Sequence, residues 1–304
     1  MSTQVMSKPA VEGRRKQKLS QMAPLSFTFI TMILFVLFFV WPAGLGIYYS
    51  FTEYRGVGDP TWIGMDNFIE LFQDEAFYSA LLRTLTYTAL IVPLGYVVAL
   101  SSAWLLTNKR TKGVGAARVI FFLPWMVSPI VAGIIWRWLF GESFGLVNYL
   151  LGLVGIGSVR WQSDANLSLS VVIMAAIWGG TAFSMLLFSA ALKNIPPSYY
   201  EAASIDGAST WQQFWKITFP LLRPTSFMVV LLSTIGSMKE FALVQALNGG
   251  GPGTQNYLMV QYIYSTGFER AKIGYASAAS VILMLLLLVI AGIQMRFDKG
   301  AEYE

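Results

Sequence analysis

NIPPSYYEAASIDGASTWQQFWKITFPLLRP, residues 194–224, is a polar, heavily punctuated stretch between two long apolar runs. Pro196 and Pro197 stop any helix that precedes them. Ser198 stands three residues before Glu201, the spacing of a capping box, so a helix is expected to open there. Ala202 and Ala203 present almost no side chain, and Gly207 is suited to a positive φ that ends the helix. Ser209 and Gln212 repeat the capping spacing and open a second helix, on which Trp211, Phe214, Trp215 and Thr218 share one face. The pattern reads as a short helix, a glycine corner and a second helix running to Pro220. It suits a surface that a partner approaches closely, with Glu201 and Asp206 available to cap or pair. Such punctuation also bounds ordinary loop helices, and spacing alone leaves both readings open.

Composition says where this stretch lies. Hydrophobic residues make up 55% of the 304 and charged residues only 12%, against about 25% charged in a soluble domain. That balance belongs to a membrane protein. The net charge of +5 is spread in short groups between apolar runs, which fits a membrane surface better than nucleic acid. With no Cys and no His, disulfides, thiolate chemistry and imidazole proton transfer are excluded.

Six stretches meet the roughly 20-residue apolar length of a spanning helix, at 25–50, 84–107, 117–140, 169–192, 218–242 and 275–295. Residues 1–24 are read as a cytoplasmic leader, 25–296 as the membrane domain with its loop at 194–220, and 297–304 as a cytoplasmic tail. Placing the N-terminus inside puts 14 of the 21 Lys and Arg in inner segments and ten of the 16 acids outside. This is the positive-inside asymmetry, and it puts both termini and the opening stretch in the cytoplasm. Pro93, Pro124 and Pro129 are expected to interrupt spans two and three. The small residues of the fourth span suit close helix packing. Outside, Asp66 is expected to cap an amphipathic surface helix, and GLVNYLLGLVG within 141–168 is too short to span.

The run EAASIDGA, with Phe214, Ile217, Pro220 and Pro224 following, resembles the EAA loop of binding-protein-dependent ABC importer permeases. The likeness extends through WPAGLGIYYSF, IGMDNFIELFQD, FFLPWMVSPIVAGIIWRWLF, NGGGPGTQNYLMVQYIY and GYASAASVIL to the carbohydrate-uptake branch, on the side of its maltose-permease-F-like subunit. Compared with that namesake, the chain is expected to be a shorter member of the branch, without its extra N-terminal spans and large outer domain. The resemblance implies an all-α polytopic fold, the type I importer permease with six transmembrane helices and a cytoplasmic coupling helix in a bacterial inner membrane. It implies a maltose-permease-G-like second permease, two ATPase subunits and an extracytoplasmic binding protein as partners. Carried onto this chain, the docking residues are Glu201, Ala202, Ala203, Asp206 and Gly207, with Asp206 holding the corner.

The sequence carries no GxxxxGK[ST] loop, so the chain is not expected to be an enzyme or to bind a cofactor, and ATP with Mg is expected on the partner ATPase. A hydroxyl-rich solute leaves water only where its hydrogen bonds are replaced. Candidates for its path are Trp125, Ser128, Trp178, Thr181, Ser184, Ser233, Ser237 and Lys239. Each aromatic also suits packing or an interface, and snorkelling also explains Lys239 beside Glu240 at the outer end of span five. An anionic solute of the glycerol-phosphate type would give Lys239 a purpose. GGGPG at 249–253 reads as a rigid outer turn suited to facing the binding protein, and not as a phosphate cradle. A secondary transporter is the main rival, though mid-membrane carboxylates of the kind it uses are nearly missing. The other rival is a membrane protein that merely docks an ATPase.

Overall fold

The computed structural model describes residues 28–107 and 113–299. The polar leader 1–24, the basic residues Lys109, Arg110 and Lys112, and the chain beyond 299 lie outside them. Among the described residues, four unbroken helices are long and apolar enough to cross a membrane: α1 (Thr28–Ser50), α3 (Glu75–Thr107), α7 (Ala165–Asn194) and α13 (Ile273–Lys299). Two further spans are bent pairs.

The expected third span, 117–140, is not one helix. It divides into α4 (Val114–Met126) and α5 (Pro129–Leu139), bent by 104°. Pro129 drives the residue before it out of the helical region, and Ser128 is extended, its Oγ accepting from Val131 N–H at 3.3 Å to start α5. The expected fifth span, 218–242, is also broken. Helix α9 (Thr210–Leu221) turns by 67° at Leu222 into α10 (Arg223–Met238), which ends short of 242. Pro224 cannot donate to the Pro220 carbonyl, so the ladder is weakest there. Pro93, by contrast, sits inside a continuous α3.

Helices α3 and α7 pack along their lengths, with Tyr87, Ala99 and Ala103 on one and Ala175, Ala182 and Phe188 on the other, all essentially buried. Small side chains permit that approach where no water drives the helices together. Helix α1 stays exposed along its length and packs mainly on α13.

One end of the helix bundle is stitched by short elements. Strands β1 (Thr52–Glu53) and β2 (Thr61–Trp62) pair antiparallel, and Asn67 Nδ2 donates to the Ser50 and Thr52 carbonyls. Asp66 is the first residue of α2 (Asp66–Leu71) and does not cap it with its side chain, correcting the expectation. The helix-starting carboxylate is Asp74, which accepts from Ala76 N–H at 2.8 Å. Helix α6 (Leu146–Leu153) is short, as its length requires, and Asn148 and Glu142 tie it to the loop through Val159, Trp161 and Ser163.

Asp74 also joins three parts of the chain. Tyr262, in α12 (Met259–Tyr264), and Tyr275, in α13, both donate to its Oδ2. Burial raises the Asp74 carboxyl, but the bonds from Tyr262, Ala76 N–H, Tyr275 and Phe77 N–H outweigh it and leave the group below its ordinary value. A depressed carboxyl contributes stability that is present above its unfolded pKa and lost as pH falls through the folded one. Asp74→Asn is therefore expected to cost about 1 kcal/mol, a modest figure because the site is partly solvated. In thermal melts of purified protein the deficit should be full at neutral pH and shrink below pH 3.8, the ordinary value. A deficit independent of pH would assign the loss to packing.

Candidate functional site

The stretch that opened the sequence folds as a clamped pair of helices. Helix α8 (Pro197–Ile205) starts at Pro197 with Pro196 as its N-cap residue and no side-chain cap. The expected Ser198–Glu201 capping box is thus absent: the prolines preset the entry one residue early and place Ser198 inside the first turn. Glu201, freed from that role, is exposed on the surface.

The corner behaves as expected. Gly207 has φ +77°, its N–H bonds to the Ser204 carbonyl, and Ala208 N–H bonds to the Ala203 carbonyl, which together make a Schellman closure. Asp206, expected to hold the corner, is exposed and makes no side-chain hydrogen bond or ion pair among the described residues, because the main chain closes the turn without it. Ser209 and Gln212 form the expected reciprocal capping box at the start of α9. Gln213 Nε2 then donates to Ser204 Oγ and to the Ala208 carbonyl, and Tyr200 shares a 2.8 Å hydrogen bond with Thr218. The two helices are held as one body.

One face of that body is rooted and the other open. Phe214 packs edge-on against Trp104 and joins the buried cluster of Leu100, Ala103, Phe188 and Leu222. Tyr199, Ala202, Ile205, Asp206 and Trp211 are exposed, Ile205 at 87%. A single turn at Leu222, fully buried, then joins α9 to α10.

Helix α10 leads to a cavity of about 540 Å³ between the broken spans and the α3–α7 pair. Trp125, Thr181, Ser184, Ser233 and Ser237, singled out in the sequence, line it. Ser128 does not; it is spent on starting α5. Trp178 does not line it either, and packs against Trp136 with ring centroids 6.1 Å apart. Lys239 is exposed beyond the end of α10 and outside the lining. Its neighbour Glu240 faces the cavity instead. Gly179 and Gly180, expected to serve helix packing, widen the cavity wall.

A family model described as "Binding-protein-dependent transport system inner membrane component" matches residues 91–303, most of the chain. The chain belongs to that family. It is 34% identical over 279 residues to the sn-glycerol-3-phosphate transport system permease protein UgpA of Agrobacterium fabrum, covering 90% of this chain and 93% of that one. It is 37% identical over 286 residues to the probable ABC transporter permease protein YesP of Bacillus subtilis, covering 92% of each. A solved bacterial ABC transporter involved in import of the acidic polysaccharide alginate contains a chain that superposes with TM-score 0.80 at 25% identity, covering 94% of this chain and 99% of that one. A second structure shows the alginate transporter with an alginate pentasaccharide-bound periplasmic protein, at TM-score 0.79 and 26% identity over 91% of this chain and 94% of that one.

The protein is therefore an ABC importer permease, an inner membrane component with the type I fold. The break at Ser128–Pro129 borders the cavity, since Val127 and Pro129 both line it. The short helix α11 (Ala242–Leu247), which sequence reading absorbed into span five and the loop after it, supplies Leu243 to the same wall. Six residues of helix carry too weak a periodicity to be seen. The 249–253 glycine loop is fastened to the first turn of α7: Asn248 Nδ2 donates to Ser168 Oγ, and Asn256 Nδ2 to the Ala165 and Gly251 carbonyls.

Proposed function

We propose that this permease forms half of the translocation path for a carbohydrate or related polyol or sugar derivative, and that α8 and α9 receive force from a separate ATPase. The observation that carries this is the clamped helix pair, open on one face and rooted through Phe214 and Leu222 in the helices that wall the cavity. Closure of two ATPase subunits on ATP and Mg pushes Glu201, Ala202, Ala203, Asp206 and Gly207. The push reaches Ser233 and Ser237 through α10 with no flexible linker between. Displacement of α10 opens the cavity toward one side or the other, the alternation transport needs.

In this reading residues 25–296 form the permease domain, with residues 194–220 and both termini cytoplasmic. A second, maltose-permease-G-like permease completes the path, and a binding protein delivers the solute to the outer loops, including 249–253. The lining supports a hydroxyl-bearing solute: among the described residues Ser184 and Ser233 spend their hydroxyls on no intrachain bond, beside the aromatic Trp125. An anionic solute is the second reading, favoured by the name of the UgpA relatives. Lys239, the cation expected to serve it, lies outside the cavity.

Because the chain contains no cysteine, Ala202→Cys creates its sole thiol. Reconstituted with its partner subunits and binding protein, that variant should crosslink to the ATPase while ATP-driven sugar uptake continues. Uptake driven by an ion gradient without ATP, or a working assembly that never yields the crosslink, would overturn the reading. Calorimetry on the binding protein identifies the solute.

A further inference from the structure

Among the described residues, Glu240 is the one lining the cavity that carries a carboxylate, and no Lys, Arg or Asp joins it there. The carboxylate is held in place. Its Oε1 accepts from Phe241 N–H at 3.0 Å and from Leu243 N–H at 3.1 Å, which also starts α11. Neither ion pair found among the described residues, Arg55–Glu53 or Lys272–Glu70, involves Glu240 or Lys239. The second carboxylate oxygen accepts no intrachain hydrogen bond among the described residues, and the residue lines the cavity.

From this we infer that Glu240 is a charge filter: the path accepts neutral or amine-bearing polyhydroxylated solutes and rejects those that carry phosphate or carboxylate. A carboxylate accepts hydrogen bonds from hydroxyl and ammonium groups but offers none to another anion. Charges of like sign meeting in a confined, poorly screened space repel far more than they do in water. The other polar lining groups do not reverse this sign. Thr181 donates to the Ile177 carbonyl, and Ser237 to Thr88 and the Thr234 carbonyl, and the other polar lining residues, Ser184, Ser233, Tyr87 and Trp125, carry neutral groups. The filter rests on the translocation role proposed for this cavity and narrows it. It separates this chain from relatives named for sn-glycerol 3-phosphate and from a transporter of an acidic polysaccharide.

The test reads the charge directly and needs no knowledge of the solute. Ser233→Cys places a thiol on the same lining, and Phe144→Cys places a control at a 94% exposed position outside the cavity. Each variant, in the assembled transporter in proteoliposomes, is treated with a trimethylammonium-bearing and a sulfonate-bearing methanethiosulfonate. Modification of this chain is followed by mass. The ratio of the two rates cancels any change in the thiol's own ionisation. Relative to the control, the cation should be favoured at position 233 by about tenfold or more. Adding Glu240→Gln should remove that preference and leave position 144 unchanged. Equal ratios with and without Glu240, or a thiol at 233 that reacts with neither reagent, would overturn the filter. ATP-driven uptake missing from the unsubstituted assembly while the ratio still shifts would sink the transport reading and leave only a charge preference of the cavity, whereas intact uptake with an unshifted ratio would sink the filter alone.

Discussion

Gly207→Val should uncouple the transporter: binding-protein-stimulated uptake is expected to fall at least tenfold while the permease still inserts and assembles. The cause is backbone conformation. A Cβ at position 207 meets nothing within 4 Å, so no steric clash is involved. Its φ of +77°, however, lies in the left-handed region, where a β-branched residue costs about 1–3 kcal/mol. Relief comes by opening the Schellman turn, which would release the bonds to the Ser204 and Ala203 carbonyls and let α8 swing relative to α9. If this surface docks the ATPase as proposed, a displacement of about 1 Å, which at a reacting centre costs about a hundredfold, is expected to spoil transmission. Asn tolerates this conformation far better than Val, so Gly207→Asn should retain most coupling. Paired measurements of ATP hydrolysis and uptake distinguish the cases. Full coupling in the Val protein, or equal failure in Asn and Val, would refute a backbone cause.

That corner was readable from sequence because its chemistry is local. Gly207 and the Ser209–Gln212 pair act on neighbours within a few residues, and the structure places them as expected. Helices α1, α3, α7 and α13 were equally legible, since lipid demands long apolar runs whatever the tertiary context. The bends were not. Hydropathy is blind to direction, so residues 117–140 scored as one span although Pro129 turns the chain by 104°. Ser198 shows another limit: its spacing to Glu201 satisfies a capping box, but Pro197 at the start of the helix took precedence. Lys239 and Glu240 are adjacent in sequence, and composition cannot say which faces the cavity. The end of α10 at Met238 decides it, because Lys239 closes that helix while Glu240 opens the next.

A second large effect is expected where two short helices touch. Helix α5 crosses α11 at Gly133, and a Cβ built there falls 2.8 Å from the Leu243 carbonyl oxygen, 2.8 Å from Ala246 Cβ and 3.0 Å from the Leu247 nitrogen. Two of those neighbours are backbone, so rotamer changes cannot make room. Gly133→Val must push the helices apart, an overpacking cost of about 1–3 kcal/mol. Ala132 and Leu243 line the cavity on either side of this contact, so separation deforms its wall directly. Thermal stability should fall by that amount and uptake by at least tenfold, whereas Gly133→Ala should show a smaller version of both. Ala246→Gly removes one of the three close atoms, and combined with Gly133→Ala it should recover part of the loss. The two substitutions should therefore be non-additive, as residues in contact are. Strict additivity, or a Gly133→Val protein that melts and transports like the parent, would mean that α5 and α11 do not meet as closely in the working transporter.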